Sequence, residues 1–138
     1  MVDRYFACYE EITPQVLAEE GVKLLICDLD FTLTPRWCHE PTAHFVTWIY
    51  ACRDAGTEVV VMTNNRSERR VKRFCDFMEL PYKYWAKKPD PEGVFYTMKA
   101  FNVKPANTVM LGDRWLTDML CAKNAGVRGW KVPSRNRP

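Results

Sequence analysis

Two carboxylates one residue apart, Asp28 and Asp30, stand directly behind the apolar run VKLLIC at 22–27, where a buried charge is costly unless something pairs with it. Three more polar clusters follow apolar runs in the same way: TNNRSE from Thr63, AKKPD from Ala86 and GDRWLTD from Gly112. If the four run ends meet, one crevice receives carboxylates from Asp28, Asp30, Asp113 and Asp118, an ammonium from Lys87 or Lys88, the Thr63 hydroxyl and a helix N-terminus just after Asn64. Carboxylates gathered so closely repel one another, and a hard divalent cation such as Mg²⁺ relieves the repulsion by taking oxygen ligands. A cation on one side, with a lysine, a hydroxyl and a helix N-terminus on the other, makes a cradle for a phosphoryl group. The chain has neither a G-x-x-x-x-G-K-[ST] loop nor a G-x-G-x-x-G turn, so it does not hold nucleotide phosphates by those devices.

The elements that must position these groups are legible as an alternation. Runs at 22–27, 58–62, 82–85, 108–111 and 127–132 read as short strands. Between them, Phe45, Trp48, Ile49 and Cys52 fall at helical spacing, as do Val71, Phe74, Cys75 and Met78, and both stripes read as core-facing helix faces. Thr13 and Pro14 open a short helix that Gly21 ends, and Gly56 closes the first crossover helix. Asn65 with Glu68 resembles a capping box for the second, and Asp90 with Pro91 suits the start of the third. Strands alternating with helices predict right-handed βαβ units and a parallel sheet covered on both faces. In such a sheet ligands bind beyond the carboxyl ends of the strands, where strand order reverses, and all four polar clusters sit at carboxyl ends.

The 138 residues, 47% hydrophobic and 27% charged, fit one compact domain over 1–138. No apolar run approaches the roughly 20 residues needed to span a bilayer, and MVDRYFACYEE lacks the features of a signal peptide, so the chain reads as soluble and intracellular. Six cysteines without a C-x-x-C pair read as reduced core residues, and Cys38, His39 and His44 lack a zinc-ligand spacing. A net charge of +3 is too mild to argue for nucleic acid. The basic residues cluster, however: Arg66, Arg69, Arg70, Lys72 and Arg73 crowd one stretch, and the tail adds Arg135 and Arg137. That run fits either an anionic partner surface or an ordinary solvated helix face.

The segment DLDFTLT resembles the D-x-D-x-T signature of the haloacid-dehalogenase-type (HAD) phosphohydrolases, and Thr63, Lys88 and Gly112 to Asp118 look like the family's remaining motifs in order. More narrowly, EITPQVLAEEGVK, GVKLLICDLDFTLTP, VVVMTNN, AKKPD and LGDRWLTDMLCAKNAG resemble the YqeG-type HAD phosphatases of subfamily IIIA, which are related to the mitochondrial phosphatidylglycerophosphate phosphatase. The likeness spans residues 5–133. It implies a three-layer α/β/α Rossmann-like HAD fold with a five-stranded, mainly parallel sheet. It makes Asp28 the nucleophile that forms an aspartyl-phosphate, with Asp30 protonating the leaving oxygen and then deprotonating water. It implies Mg²⁺ held by the Asp28 carboxylate, the Asp30 backbone carbonyl and Asp113, with Asp118 supporting, and phosphoryl oxygens held by Thr63, the Asn64 amide and Lys88. Phe31 stands where that family usually has asparagine, in the loop that lies over the leaving group, and Trp115 beside Arg114 is a second variation.

Simpler roles compete with each assignment. Asp28 and Asp30 could only cap the following turn, Asp118 could cap or pair within its helix, and Thr63 could be a strand-end hydroxyl. Lys87 reads as the solvated neighbour, on the match of Lys88-Pro89 alone. Neither the interval from Asp28 to Thr63 nor that from Thr63 to Lys88 has room for an inserted cap domain, so the site is expected to be open. An open site suits a substrate too large to enclose or one presented by a membrane. Together with the resemblance, this implies phosphatidylglycerophosphate as substrate and a cytoplasmic protein in peripheral contact with an anionic membrane at its inner face, with no nucleic-acid partner. The competing functions are a HAD phosphatase for a soluble nucleotide or sugar phosphate and a non-catalytic phosphate-binding module. Retention of both Asp28 and Asp30 speaks against the latter.

Overall fold

The computed structural model describes residues 2–35 and 38–135, so Arg137 of the basic tail lies outside the described residues. Strand β2 (Leu24–Cys27) runs through the middle of the sheet and is buried at all four positions. It pairs in parallel with β3 (Glu58–Met62) on one side and β5 (Thr108–Gly112) on the other, Cys27 lying opposite Val61 and Leu111. Unbroken burial, rather than alternation, marks a parallel strand covered on both faces. β4 (Tyr82–Lys83) extends the sheet beyond β3, and β6 (Arg128–Lys131) followed by β1 (Arg4–Tyr5) extends it beyond β5, giving the order β1-β6-β5-β2-β3-β4.

The sheet therefore has six strands where the apolar pattern predicts five, and every pairing among the described residues is parallel. The additional strand, β1, is two residues long with both side chains exposed. Backbone bonds hold it, from Asp3 N to the Gly129 carbonyl at 2.8 Å and from Phe6 N to the Lys131 carbonyl at 2.9 Å, and hydropathy carries no sign of such a strand. The run at 82–85 keeps only two strand residues, because Trp85 turns into the left-handed region with φ 46°.

Successive side chains of a strand point to opposite faces, so each central strand feeds two cores. Leu25, Cys27, Val59, Val61, Val109 and Leu111 face helices α1 (Pro14–Glu19), α2 (Ala43–Asp54) and α3 (Glu68–Asp76). The predicted stripes meet them there: Phe45, Trp48, Ile49 and Cys52 from α2, Val71, Phe74 and Cys75 from α3, and Met78 just past its end. Leu24, Ile26, Val60, Met62 and Met110 face α4 (Glu92–Phe101) and α5 (Leu120–Ala125). Four of the six cysteines are buried and all six are unbridged.

Helix ends follow the punctuation in part. Thr13 caps α1, its hydroxyl accepting from Val16 N at 3.2 Å. The expected Asn65 cap of α3 is displaced: Ser67 is the cap, accepting from Arg70 N at 3.2 Å, while the Asn65 side chain accepts from Ser67 N at 2.9 Å. Both residues carry short side chains able to take up a backbone N–H, and the sequence alone does not choose between them. Asp90 likewise accepts from Glu92 N at 3.0 Å while Pro91 occupies the cap position of α4. The chain moves outward from β2 through β3 to β4, then crosses back to β5 on the far side of β2. The reversal therefore falls beside the carboxyl end of β2, the place where α/β sheets open a crevice.

Candidate active site

Asp28 follows β2 by one residue, its N–H donating to the Leu111 carbonyl at 2.9 Å, and it lines an open cavity of about 530 Å³. Asp30, Phe31, Thr63, Asn64 and Lys88 also line that cavity, with Arg66, Ser67, Arg114 and Thr117 among the residues around it. The Lys88 ammonium reaches Asp28 Oδ1 at 3.1 Å, Asp118 Oδ1 at 2.6 Å and the Met62 carbonyl at 2.8 Å. An ammonium has three N–H donors, so every one is committed. Asn64 fixes the backbone that carries this lysine: Lys88 N donates to Asn64 Oδ1 at 2.7 Å and Asn64 Nδ2 donates to the Lys88 carbonyl at 3.0 Å. Lys87 is exposed, its Nζ 4.9 Å from the centre of the Trp85 ring. Of the two lysines between which the sequence decides only by motif, the structure brings Lys88 to the carboxylates.

Asp28, Asp113 and Asp118 each place a carboxylate oxygen within 4.8 Å of the others. Thr32 Oγ1 lies 3.1 Å from Asp113 Oδ1 and 3.4 Å from Asp28 Oδ2, and Ser134 donates to Asp113 Oδ2 at 2.5 Å. Asp118 enters from a π-helical turn, Trp115–Met119, and its Oδ2 accepts from Arg114 N at 3.2 Å. It fits because residue 112 has no side chain: a Cβ there would stand 2.2 Å from Asp118 Cγ. Burial above all, then the charges of Asp118 and Asp113, pushes the Asp28 carboxyl up to about 8, against the opposing pull of Lys88. Burial would lower Lys88, but the carboxylates of Asp118 and Asp28 outweigh it and hold the ammonium charged. Three aspartates within reach of one another, one of them forced toward its neutral form, make an all-oxygen donor set short of positive charge. That fits a hard divalent cation.

The carboxylate of Asp30 is not in this cluster, so the crevice of four carboxylates resolves into three and one. Asp30 Oδ1 accepts from Arg70 at 2.8 Å and its Oδ2 accepts from Asn65 Nδ2 at 2.8 Å. Arg70 is nearly buried and also donates to the carbonyls of Cys38 and, at 3.4 Å, Pro35, which ties α3 to the chain leaving β2. In the sequence Arg70 belongs to a basic run that fits either an anionic partner surface or a solvated helix face, and nothing local distinguishes it from Arg69. Lys72 pairs with Asp76 at 2.6 Å and Arg73 with Glu40 at 3.2 Å, both exposed, so three of the five basic residues of that run have acidic partners within the protein.

Thr63 Oγ1 accepts from Asn65 N at 3.1 Å, fixing the turn that leaves β3. The helix N-terminus expected just after Asn64 begins only at Glu68, and the loop through Arg66 and Ser67 lines the cavity in its place. Phe31 sits in the left-handed region with φ 67°, a conformation costly for a bulky side chain. It is held there by its N–H donating to the Thr34 carbonyl at 2.8 Å and its own carbonyl accepting from Arg135 N at 2.6 Å.

The sequence profile of the haloacid dehalogenase-like hydrolases matches residues 40–132. The chain is 34% identical over 115 residues to a probable phosphatase, YqeG, of Bacillus subtilis, a match covering 83% of this chain and 66% of that protein. It is 30% identical over 128 residues to a probable phosphoglycolate phosphatase of Pseudomonas putida, covering 82% of this chain and 47% of that protein. The chain thus spans less than two thirds of the length of either relative. Among solved structures, the 3-deoxy-D-manno-octulosonate 8-phosphate phosphatase of Moraxella catarrhalis, in complex with a magnesium ion, a phosphate ion and a KDO molecule, has a TM-score of 0.57. It is 12% identical, over 72% of this chain and 62% of that one, and that likeness is one of fold.

Proposed function

The chain belongs to the haloacid dehalogenase-like hydrolase family, and from that premise we propose that it hydrolyses phosphate monoesters through an aspartyl-phosphate formed on Asp28. The observation that carries the reading is the placement of the Asp28 carboxylate: lining an open cavity, beside the strand-order reversal, in a buried cluster with Lys88, Asp113 and Asp118. An Asp28 oxygen attacks phosphorus as the ester P–O bond breaks, and Asp30 gives its proton to the leaving oxygen. Asp30 then takes a proton from water, the water oxygen attacks phosphorus, and inorganic phosphate leaves as the Asp28 carboxylate is regenerated. The Thr63 hydroxyl and the Asn64 amide hold phosphoryl oxygens. Since its donors are all committed, Lys88 reaches a phosphoryl oxygen by exchanging it for the bond to Asp28.

Asp28, Asp113 and the Asp30 backbone carbonyl would hold Mg²⁺, with Asp118 supporting. The ion would offset phosphoryl charge and keep Asp28 ionised. Two measurements test this. Activity is expected to vanish in excess chelator and return with Mg²⁺, and full activity in chelator would remove the metal. In the metal-free protein Asp28 holds its proton more tightly when folded than when unfolded, so its contribution to stability falls as pH rises from about 4 toward 8. The rise in Tm on adding Mg²⁺ is accordingly expected to be larger at pH 8 than at pH 5, where a proton already occupies the site. A rise independent of pH would separate the ion from Asp28.

Arg70 and Asn65 act through Asp30, orienting its carboxylate. Arg70→Met is expected to lower kcat by about 10- to 100-fold on an alkyl phosphate, whose leaving oxygen needs a proton, and by far less on p-nitrophenyl phosphate, whose leaving group does not. Arg70→Lys should recover only part of the loss, because an ammonium does not reproduce the guanidinium fork. Equal losses on the two esters would reduce Arg70 to a structural tie.

For the substrate, we propose phosphatidylglycerophosphate met at an anionic membrane surface. In support, the cavity is open and large apolar side chains next to its lining residues are exposed: Trp85, under the Arg66 guanidinium, at 47%, and Trp115 and Leu116, between Arg114 and Thr117 in the chain, at 46% and 75%. No helix among the described residues is long and apolar enough to cross a membrane, so the contact would be peripheral. The names of the relatives favour a second reading, a soluble phosphate monoester. Rates on phosphatidylglycerophosphate in mixed micelles, 2-phosphoglycolate and a sugar phosphate decide between them. Preference for a soluble ester removes the lipid, and no hydrolysis of any ester, p-nitrophenyl phosphate included, removes the phosphatase.

A further inference from the structure

Among the described residues four arginines are matched to carboxylates: Arg70 with Asp30 at 2.8 Å, Arg73 with Glu40 at 3.2 Å, Arg128 with Glu20 at 3.6 Å and Arg135 with Glu10 at 2.8 Å. Arg66 and Arg114 are not matched. Neither guanidinium has a hydrogen bond or ion pair with any described residue, and both line the cavity above Asp28. They come from opposite sides, Arg66 from the loop after β3 and Arg114 from the loop after β5, the two strands that flank β2. The Arg66 guanidinium lies 5.4 Å from the centre of the Trp85 ring, and the Arg114 backbone is bonded to Asp118, which anchors Lys88.

The charge on one phosphate monoester is already answered in the proposed mechanism by Lys88, Thr63, the Asn64 amide and the ion that the aspartates fit. Two further guanidiniums flanking the same open cavity exceed what that group needs, and a planar guanidinium fork matches the oxygens of a carboxylate or a phosphate. Resting on the phosphatase reading, we infer that Arg66 and Arg114 form a second anion subsite, and that the preferred substrate carries a second anionic group, a carboxylate or a phosphate diester, on the part that leaves. The same chemistry is presented by a small soluble metabolite and by a phospholipid head group.

Three soluble esters test the subsite with the full chain and Mg²⁺. Glycerol 3-phosphate has an uncharged leaving group, 3-phosphoglycerate puts a carboxylate in a leaving group of similar size, and deacylated phosphatidylglycerophosphate puts a phosphate diester there. We expect kcat/KM for at least one of the two doubly anionic esters to exceed that for glycerol 3-phosphate by about tenfold or more. Which of them is preferred identifies the source, and adding the intact lipid in mixed micelles shows whether acyl chains contribute. Arg66→Gln and Arg114→Gln should each lower the preference ratio several-fold, and the double variant should bring it near one. Arg69→Gln, which alters an exposed arginine outside the cavity, should leave the ratio as it is. A ratio near one in the unaltered protein overturns the subsite. So does a ratio that survives the double substitution, equal losses on all three esters, or failure to hydrolyse any of the three while p-nitrophenyl phosphate is turned over. Failure on p-nitrophenyl phosphate as well removes the phosphatase reading, and the subsite with it.

Discussion

Asp28→Asn is expected to lower turnover at least about 10³-fold on every phosphate ester while leaving the protein folded, with a metal-free Tm equal to or above that of the unaltered chain. The loss is large because an amide oxygen is a poor nucleophile for phosphorus and the covalent step has no substitute in the cavity. Stability is spared for a different reason. Asp28 is buried beside Asp118 and Asp113, and burial together with those charges already pushes it toward its neutral form. An asparagine has the same shape without the repulsion, and it can still accept from Lys88 across the 3.1 Å now spanned by the carboxylate. Steady-state rates and thermal unfolding on the same preparation check both halves. A folded Asp28→Asn protein with near wild-type activity would sink the aspartyl-phosphate mechanism.

Lys88→Met is expected to do the opposite to stability. The ammonium is paired with both Asp28 and Asp118, its side chain is 1% exposed, and it also satisfies the Met62 carbonyl. Its removal strands the buried Asp118 carboxylate and takes a donor from Asp28, and breaking a buried pair by deleting one partner costs about 3–5 kcal/mol. That is a substantial part of the 5–15 kcal/mol by which a domain is usually stable. Removing the second charge as well, in Lys88→Met with Asp118→Asn, should restore part of the stability, because the two losses share one interaction. It should not restore activity. Denaturant unfolding of the two single variants and the double variant gives the coupling directly. Additive losses would show that Lys88 and Asp118 do not act as a pair.

The two experiments separate what the lysine does from what the aspartate does, a distinction invisible in the motif alone. The sequence names Lys88 through its proline neighbour and offers phosphate binding as its role. In the folded protein the same lysine neutralises carboxylates, with all three of its donors committed. Asp30 shows a similar gap. As a motif residue it is adjacent to Asp28, but its carboxylate turns to Asn65 and Arg70, residues from a different strand end and a different helix. The basic run around Arg70 also reads differently once folded: Arg70 is committed to the site and Lys72 and Arg73 to surface pairs, while Arg66 lies over the Trp85 ring and lines the cavity.

What the sequence by itself determined is the alternation of strands and helices, the parallel sheet, and the delivery of Asp28, Thr63, Lys88 and Asp113 to one edge of it. These follow from local rules: apolar runs make buried strands, helical stripes make crossovers, and parallel connections put every strand's carboxyl end on the same side. Tertiary structure decided the pairing of charges. Asp28 and Lys88 are 60 residues apart, Lys88 and Asp118 are 30 apart, and Asp30 and Arg70 are 40 apart. Whether such groups meet depends on distances of a few ångströms set by packing across the whole sheet, since Coulomb attraction and hydrogen bonding act through space and hydropathy patterns record only position along the chain. The short strand β1 belongs to the same class: two exposed residues gain their place from the backbone of β6, a partner more than a hundred residues away.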